Sequence, residues 1–226
     1  MNTVLRPQRG GSAPHSQPPG LPLNSTVNAP ISSDEERRLQ ALQALDILDT
    51  QPEGAFDDIV LLASRICGTP IAVISLVDSV RQWFKSRVGL YATETPRDIA
   101  FCAHAILEPD ELMIVRDAHR DERFADNPLV TGDPNIRFYA GAPLVTSSGH
   151  ALGTVCVIDS VARSLTLDGQ QALRALARQT VALLEQRLTV RQLESRIEKL
   201  VAHNIELSEL SRGLLHDSSY PSSEAA

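Results

Sequence analysis

The stretch TPIAVISLVDSVRQWFKSRVGL, residues 69–90, reads as a β-strand, a tight turn at Asp78-Ser79, and a second strand carrying the single tryptophan, Trp83. Ile71, Ala72, Val73, Ile74, Leu76 and Val77 make the first strand apolar nearly throughout, as in a strand covered on both faces. The second mixes Gln82, Lys85, Ser86 and Arg87 with Trp83, Phe84 and Val88, so one side is expected to face solvent or a ligand. Trp83 and Phe84 are adjacent and therefore point to opposite faces, one toward the core and one free to wall a pocket. The expectation is a central sheet presenting a pocket on one face, with helices that report on it.

Upstream, Ser33-Asp34-Glu35-Glu36 has the form of a capping box, with Ser33 accepting from the Glu36 N–H and Glu36 reaching back. It opens an amphipathic helix over 34–46 bearing Leu39, Leu42 and Leu45, which the Pro52 region ends. A second helix over about 54–67 gathers Phe56, Ile59, Val60, Ala63 and Ile66 on one face and stops at Gly68. Residues 1–32 are rich in proline, glycine, serine and asparagine and are expected to be a disordered tail.

Downstream, the second half of 93–107 reads as a short helix, 112–115 as a strand, and 117–127 as a loop. Residues 128–135 are rich in turn formers. Residues 136–145 and 151–158 then form a hairpin around Ser147-Ser148-Gly149-His150. From Thr166 a long helix begins, with Leu173, Leu176, Ala177, Thr180, Leu183 and Leu184 facing the sheet. The pattern then narrows to a heptad repeat, with Val190, Ile197, Asn204 and Ser211 at a and Leu193, Leu200, Leu207 and Leu214 at d. β-Branched residues at a, leucine at d and one Asn at a specify a parallel two-stranded coiled coil, hence a homodimer through residues 189–216. The alternative is a helix packed on its own domain. Residues 217–226 read as a second disordered tail.

A formal net charge of −7 argues against a nucleic-acid surface, and no apolar run reaches the length of a membrane span. Three scattered cysteines, Cys67, Cys102 and Cys156, make no disulfide framework. A polar N-terminus without an apolar segment is no secretory signal. Together these predict a cytoplasmic protein with reduced thiols.

The segments LDILDT-PE--FD (45–57), PIAVISLVD--RQWFKS--GL (70–90), ETPRDIAFCAHAI (94–106), RFADNPLVTG (123–132), IRFYAGAPL (136–144) and LGTVCVID (152–159) resemble bacterial GAF domains. More narrowly they resemble those placed ahead of sensor histidine kinases and diguanylate cyclases. The resemblance covers about residues 35–188, and a GAF sensor domain is delimited at 33–188. It implies an α+β, PAS-like fold, with five or six antiparallel strands, helices on one face, and a ligand pocket on the other. The pocket would lie under about 91–111 and 116–135. The Asn-Lys-Phe-Asp-Glu signature of cyclic-nucleotide binders is absent. Ala103 follows Cys102 where bilin-attaching phytochromes have Cys-His, and the cysteine pattern of the methionine-sulfoxide-reducing members is not evident.

Candidate contacts with an unidentified small molecule are Cys102, His104, Asp117, Arg123, Phe124, Tyr139 and Trp83. Cys102 and His104, two apart, read as packing residues, as ligand contacts, or as a thiolate held by an imidazole; two ligands fall short of a structural zinc site. Asp117, Arg123 and Asn127 either grip a polar ligand or pin their loop. Tyr139, near Gly141, either stacks on a ligand or packs. His216 to Pro221 superficially resembles a histidine-kinase phosphoacceptor box. No nucleotide-binding or hydrolase motif appears, and no cofactor is indicated. The reading is therefore a non-catalytic input domain that binds a small molecule or responds to redox, with a kinase or cyclase as signalling partner. The alternatives are a dimerisation adaptor without ligand and, less favoured, a thiol-dependent sulfoxide reductase acting through Cys102.

Overall fold

The structure, a computed structural model, describes Ala29 and residues 31–217, with side chains described as far as Leu210 and at Arg212. The hairpin of residues 69–90 forms as read. β1 (Ile71–Val77) pairs antiparallel with β2 (Arg81–Val88), and the Asp78 N–H donates to the Arg81 carbonyl across the turn at 2.8 Å. The short β3 (Glu94–Pro96) extends the sheet beyond β2, and β4 (Met113–Val115), β5 (Phe138–Val145) and β6 (Ala151–Asp159) complete it. The strand order is β3-β2-β1-β6-β5-β4, antiparallel throughout, so the near-continuously apolar β1 and β6 are central, as their composition requires.

Three helices cover one face: α1 (Glu35–Ala44), α2 (Gly54–Cys67) and the start of a third, Leu167–Asp217. Phe56, Ile59, Val60 and Ala63 from α2 meet Ile74, Leu76 and Val155 of the sheet, with Leu173, Ala177 and Leu184 beside them. The opposite face carries only short helices, α3 (Phe101–Ala105) and α4 (Pro128–Thr131), and a second apolar cluster that includes Val73, Phe84, Phe101, Phe124 and Tyr139. The long helix, α5, lies fifth in the chain. Ala29, inside the compositional tail, is buried in this second cluster.

Two readings of local sequence are corrected. The capping box does not form. α1 begins at Glu35 behind Asp34, which makes no side-chain cap, and the Ser32 hydroxyl accepts from the Asp34 N–H at 3.2 Å. The Glu35 carboxylate is instead drawn to Arg38 (2.6 and 2.9 Å) and to Arg97 (2.6 Å), and Arg97 also donates to the Asp78 carbonyl (3.0 Å). Secondly, the polar side chains of β2 do not share one face: Arg87 is exposed, but Lys85 and Ser86 are buried. Ile74 and Ser75 of β1 oppose three β2 residues, Phe84 to Ser86, so β2 bulges at Lys85, and Lys85 and Ser86 both turn toward the helices. Lys85 Nζ donates to Thr50 Oγ1 (2.9 Å), the Gln51 carbonyl (2.8 Å) and Glu53 (2.7 Å), and Ser86 donates to Asp57. The loop and helix supply every acceptor these donors need, which alternation along one strand does not reveal.

Beyond Leu188, α5 leaves the domain and its side chains are exposed to its described end, Leu193 at 51%, Ile197 at 59% and Leu200 at 62%. Val201, Ile205 and Leu210 broaden the apolar stripe past the a and d positions. The side chains of Ser211, Leu214 and His216, and the residues from Ser218 onward, lie outside the described set. No described helix is long and apolar enough to cross a membrane.

Candidate functional site

A cavity of about 310 Å³ opens on the face away from the three helices. Ile71 and Val73 of β1, Gln82 and Phe84 of β2, Tyr139 of β5, and Cys156 and Ile158 of β6 floor and wall it. Its roof comes from the connection after β2, Gly89 to Ala92, and from Leu129 to Ile136, with Phe101 and Cys102 at one side. Gly89 has φ +73°, and a Cβ there would lie 2.1 Å from the Pro70 carbonyl oxygen, so only glycine lets the chain turn back so sharply at the cavity mouth.

The lining is chiefly apolar. Its main polar group is Gln82, which is 6% exposed and donates through Nε2 to Thr95 Oγ1 at 3.2 Å. The Gln82 Oε1 atom is buried and has no hydrogen-bond partner among the described residues. At the cavity wall four buried groups meet. Tyr139 Oη donates to Cys102 Sγ (3.3 Å), Thr154 Oγ1 donates to the same sulfur (3.1 Å), and Cys156 Sγ lies 3.9 Å from it. Burial acts to raise the Cys102 pKa, but the donors from Cys156, Thr154 and Tyr139 outweigh it and bring the thiol to about 7. Cys156 is pushed well up by its hydrogen bond to Cys102 and by burial, and burial likewise raises Tyr139. Among the described residues no cluster of three or more His, Cys, Asp or Glu is arranged to hold a metal.

The profile of a family described as "GAF domain" matches residues 51–184, more than half of the chain. The chain belongs to the GAF family. A cyclic di-GMP phosphodiesterase of Pseudomonas aeruginosa is 43% identical over 156 residues, which is 69% of this chain and 25% of that protein. The chain thus spans about a quarter of that relative's length. The GAF domain of an Acinetobacter phosphoenolpyruvate-protein phosphotransferase superposes with a TM-score of 0.51 at 16% identity, over 71% of this chain and 98% of that one. The photosensory core module of Stigmatella aurantiaca phytochrome gives 0.54 at 12% identity, over 82% and 44%. At such identities the two structures share the fold with this chain. The chain is therefore a signalling domain of the GAF type.

Within this GAF domain the candidate residues separate. Cys102 and Tyr139 line the cavity. Trp83 does not: it packs on the helix-covered face, and its neighbour Phe84 takes the cavity side, because β2 pairs Trp83 with Leu76 and Phe84 with Ser75. Phe124 stands behind the wall, stacked on Phe101 with centroids 3.9 Å apart, and Phe101 in turn meets Tyr139 at 5.2 Å. Arg123 covers Phe124 and pairs with Asp121 at 2.7 and 2.9 Å. His104 lies edge-on to Phe124, its pKa lowered by burial and then by the charge of Arg123. Asp117 is held by two hydrogen bonds from Arg137 (2.7 and 2.8 Å), which bring its carboxyl to about 2. Asn127 is fully buried, donates to the Ile99 carbonyl and accepts from the Leu129 N–H, both at 2.9 Å. The segment 116–127 thus pins the loops, and the roof uses 89–92 and 129–136, largely within the connections expected to cover the pocket.

The tyrosine also explains Gly141. A Cβ at Gly141 would lie 2.1 Å from Tyr139 Oη, so the glycine admits the protein's own ring rather than a ligand. Sequence reasoning left Gln82 between solvent and ligand and Phe84 as one of two candidates for the pocket wall, and it missed Ile158 and Leu129. Gln82 carried a signal, a polar side chain between apolar strands, but solvent and cavity look alike at that level.

Proposed function

We propose that this GAF domain is the ligand-sensing input module of a cytoplasmic signalling protein, taking a compact, neutral, largely apolar molecule that carries one hydrogen-bond donor. The observation that carries the reading is an apolar cavity of about 310 Å³ whose main polar residue is Gln82, its carboxamide oxygen buried without a hydrogen-bond partner among the described residues. Buried polar atoms without partners are costly, and a donor from a ligand offsets that cost. Neither the cavity lining nor the net charge of −7 favours an anionic nucleotide.

The route outward runs through β2. Gln82 and Phe84 face the cavity, while Lys85 on the same strand reaches Glu53, and Glu53 also accepts from Arg187 of α5 at 3.1 Å. Arg191 continues the contact, donating to the Asp46 carbonyl at 3.0 Å. A ligand that binds one setting of β2 better than another shifts α5 by its differential affinity. Beyond Leu188 the apolar stripe of α5 meets a second copy in parallel, with Val190, Leu193, Ile197, Leu200, Asn204, Leu207 and Leu214 in the seam, and delivers the state to a catalytic partner. The cyclic di-GMP phosphodiesterase that shares this domain is one such output; the chain itself supplies regulation rather than turnover.

A thermal-shift and native mass-spectrometry screen of small neutral compounds tests the reading. A ligand at a hundred times its Kd raises stability by about 2.7 kcal/mol. Ile158→Trp, which fills the cavity, abolishes binding, and Gln82→Met weakens it about tenfold. A ligand bound equally well by both variants sits elsewhere, and the cavity is then not the sensor.

A further inference from the structure

The cysteine pair in the cavity wall is more than packing. A cysteine buried as a small hydrophobe needs no hydrogen-bond donors. Cys102 has two, Tyr139 Oη and Thr154 Oγ1, converging on its sulfur at 3.3 and 3.1 Å, and its third neighbour is the Cys156 sulfur at 3.9 Å. The four groups come from α3, β5 and β6, so the tertiary fold assembles them. Both cysteines line the cavity, which gives a small neutral reagent a path that the low exposure of the residues, 2% and 1%, denies to bulky ones. Cys67, the remaining thiol, is on α2 with only the distant Gly169 carbonyl, 3.9 Å away, as partner.

We propose that Cys102 and Cys156 form a peroxide-oxidisable dithiol, with Cys102 attacking and Cys156 resolving. The Cys102 sulfur attacks one oxygen of a hydroperoxide. An S–O bond forms, the O–O bond breaks, and the departing hydroxide or alkoxide takes the thiol proton to leave as water or alcohol. The Cys156 sulfur then attacks the Cys102 sulfenic sulfur. The S–S bond forms, the S–O bond breaks, and the second hydroxide leaves as water with the Cys156 proton. The two sulfurs together give up two electrons, and the peroxide is reduced. Closing the bond moves the sulfurs from 3.9 Å to about 2.05 Å, a shift confined to α3 and the wall of the cavity. Against the opposing effect of burial, the hydrogen bonds to Cys102, from Cys156 first and then from hydroxyls, lower its thiol pKa to about 7, which favours thiolate at the attacking sulfur. In a reducing compartment such a bond is transient, as a sensing disulfide must be.

The test uses the full chain, reduced and freed of reductant, treated with hydrogen peroxide at a small molar excess. The expected result is loss of two hydrogens by intact mass, reversal by dithiothreitol, and a non-reducing peptide map that joins the Cys102 and Cys156 peptides while Cys67 stays alkylatable. Cys156→Ser is expected to stop at sulfenic acid on Cys102, trapped by dimedone. The proposal is overturned if wild-type Cys102 and Cys156 both stay free while Cys67 oxidises. It is equally overturned if Cys102 proceeds to sulfinic acid as readily in wild type as in Cys156→Ser. The wild-type measurement suffices even if the variant fails to fold. Because no organic ligand is involved, failure here leaves the cavity reading intact, and failure of that reading leaves this one standing.

Discussion

At Gly141 one missing methyl decides where a tyrosine lies. The Tyr139 ring crosses the position a Cβ would occupy, 2.1 Å from Oη and 2.6 Å from Cζ, and only because of this does its hydroxyl reach Cys102. Gly141→Ala is therefore expected to displace the ring and cost about 1–3 kcal/mol, as overpacking in a rigid interior does. In a Tyr139→Ala background the same change becomes nearly neutral, since the clash partner is gone. Urea melts of the four proteins measure this; an equal penalty in both backgrounds would show that Gly141 answers to the backbone alone. The glutamine at 82 belongs to the same scale. Its amide is what separates this cavity from an ordinary apolar void.

Between elements, Glu35 makes a largely buried polar junction. It joins α1, through Arg38, to the turn that follows β3, through Arg97, and thence to the β1–β2 hairpin at the Asp78 carbonyl. Burial works to raise the Glu35 pKa from 4.5, but hydrogen bonds and charge from Arg38 and Arg97 prevail and lower it to about 2. A carboxyl with a lower pKa folded than unfolded releases its proton more readily in the fold. Its contribution to stability is therefore complete above about 4.5 and is lost as pH falls from there through about 2. Unfolding midpoints of wild type should fall across that window more steeply than those of Glu35→Gln, which is the less stable protein near neutrality. Parallel slopes would mean that the acid lability arises elsewhere, for example at Asp117 with Arg137.

For the whole molecule the open question is what covers α5 past Leu188. A helix extending about 40 Å beyond its domain with a continuous apolar stripe is poorly stable alone in water. The proposed second copy would satisfy the stripe, with a and d positions in register and Asn204 meeting its equivalent. Sedimentation is expected to give a dimer for the full chain and a monomer after truncation at Leu188. Asn204→Leu should raise Tm while broadening the range of oligomers. One monomeric mass for both lengths would refute the seam. The added apolar positions Val201, Ile205 and Leu210 make a face wider than two strands need, so partners beyond the dimer have a surface to meet.

Local sequence was enough for the elements with strong periodicity. The β1–β2 and β5–β6 hairpins, α2 ending at Gly68, and a helix opening near Thr166 each rest on neighbours in the chain, and each formed where the pattern placed it. The GAF resemblance supplied the sheet and the face of the cavity. What local pattern did not settle was decided by partners distant in sequence. The expected Ser33–Glu36 cap gave way to a pairing of Glu35 with Arg97, 62 residues on, and Lys85 found its acceptors 32 to 35 residues away. The register of β2 on β1 sent Trp83 to the helices and Phe84 to the cavity, and the bulge at Lys85 put Lys85 and Ser86 on the helix side together. Cys102 and Cys156, 54 positions apart, became neighbours only when α3 settled on β6. Periodicity records which side of an element is apolar. Which buried polar atoms meet is fixed by where the elements pack, and that is a property of the tertiary structure.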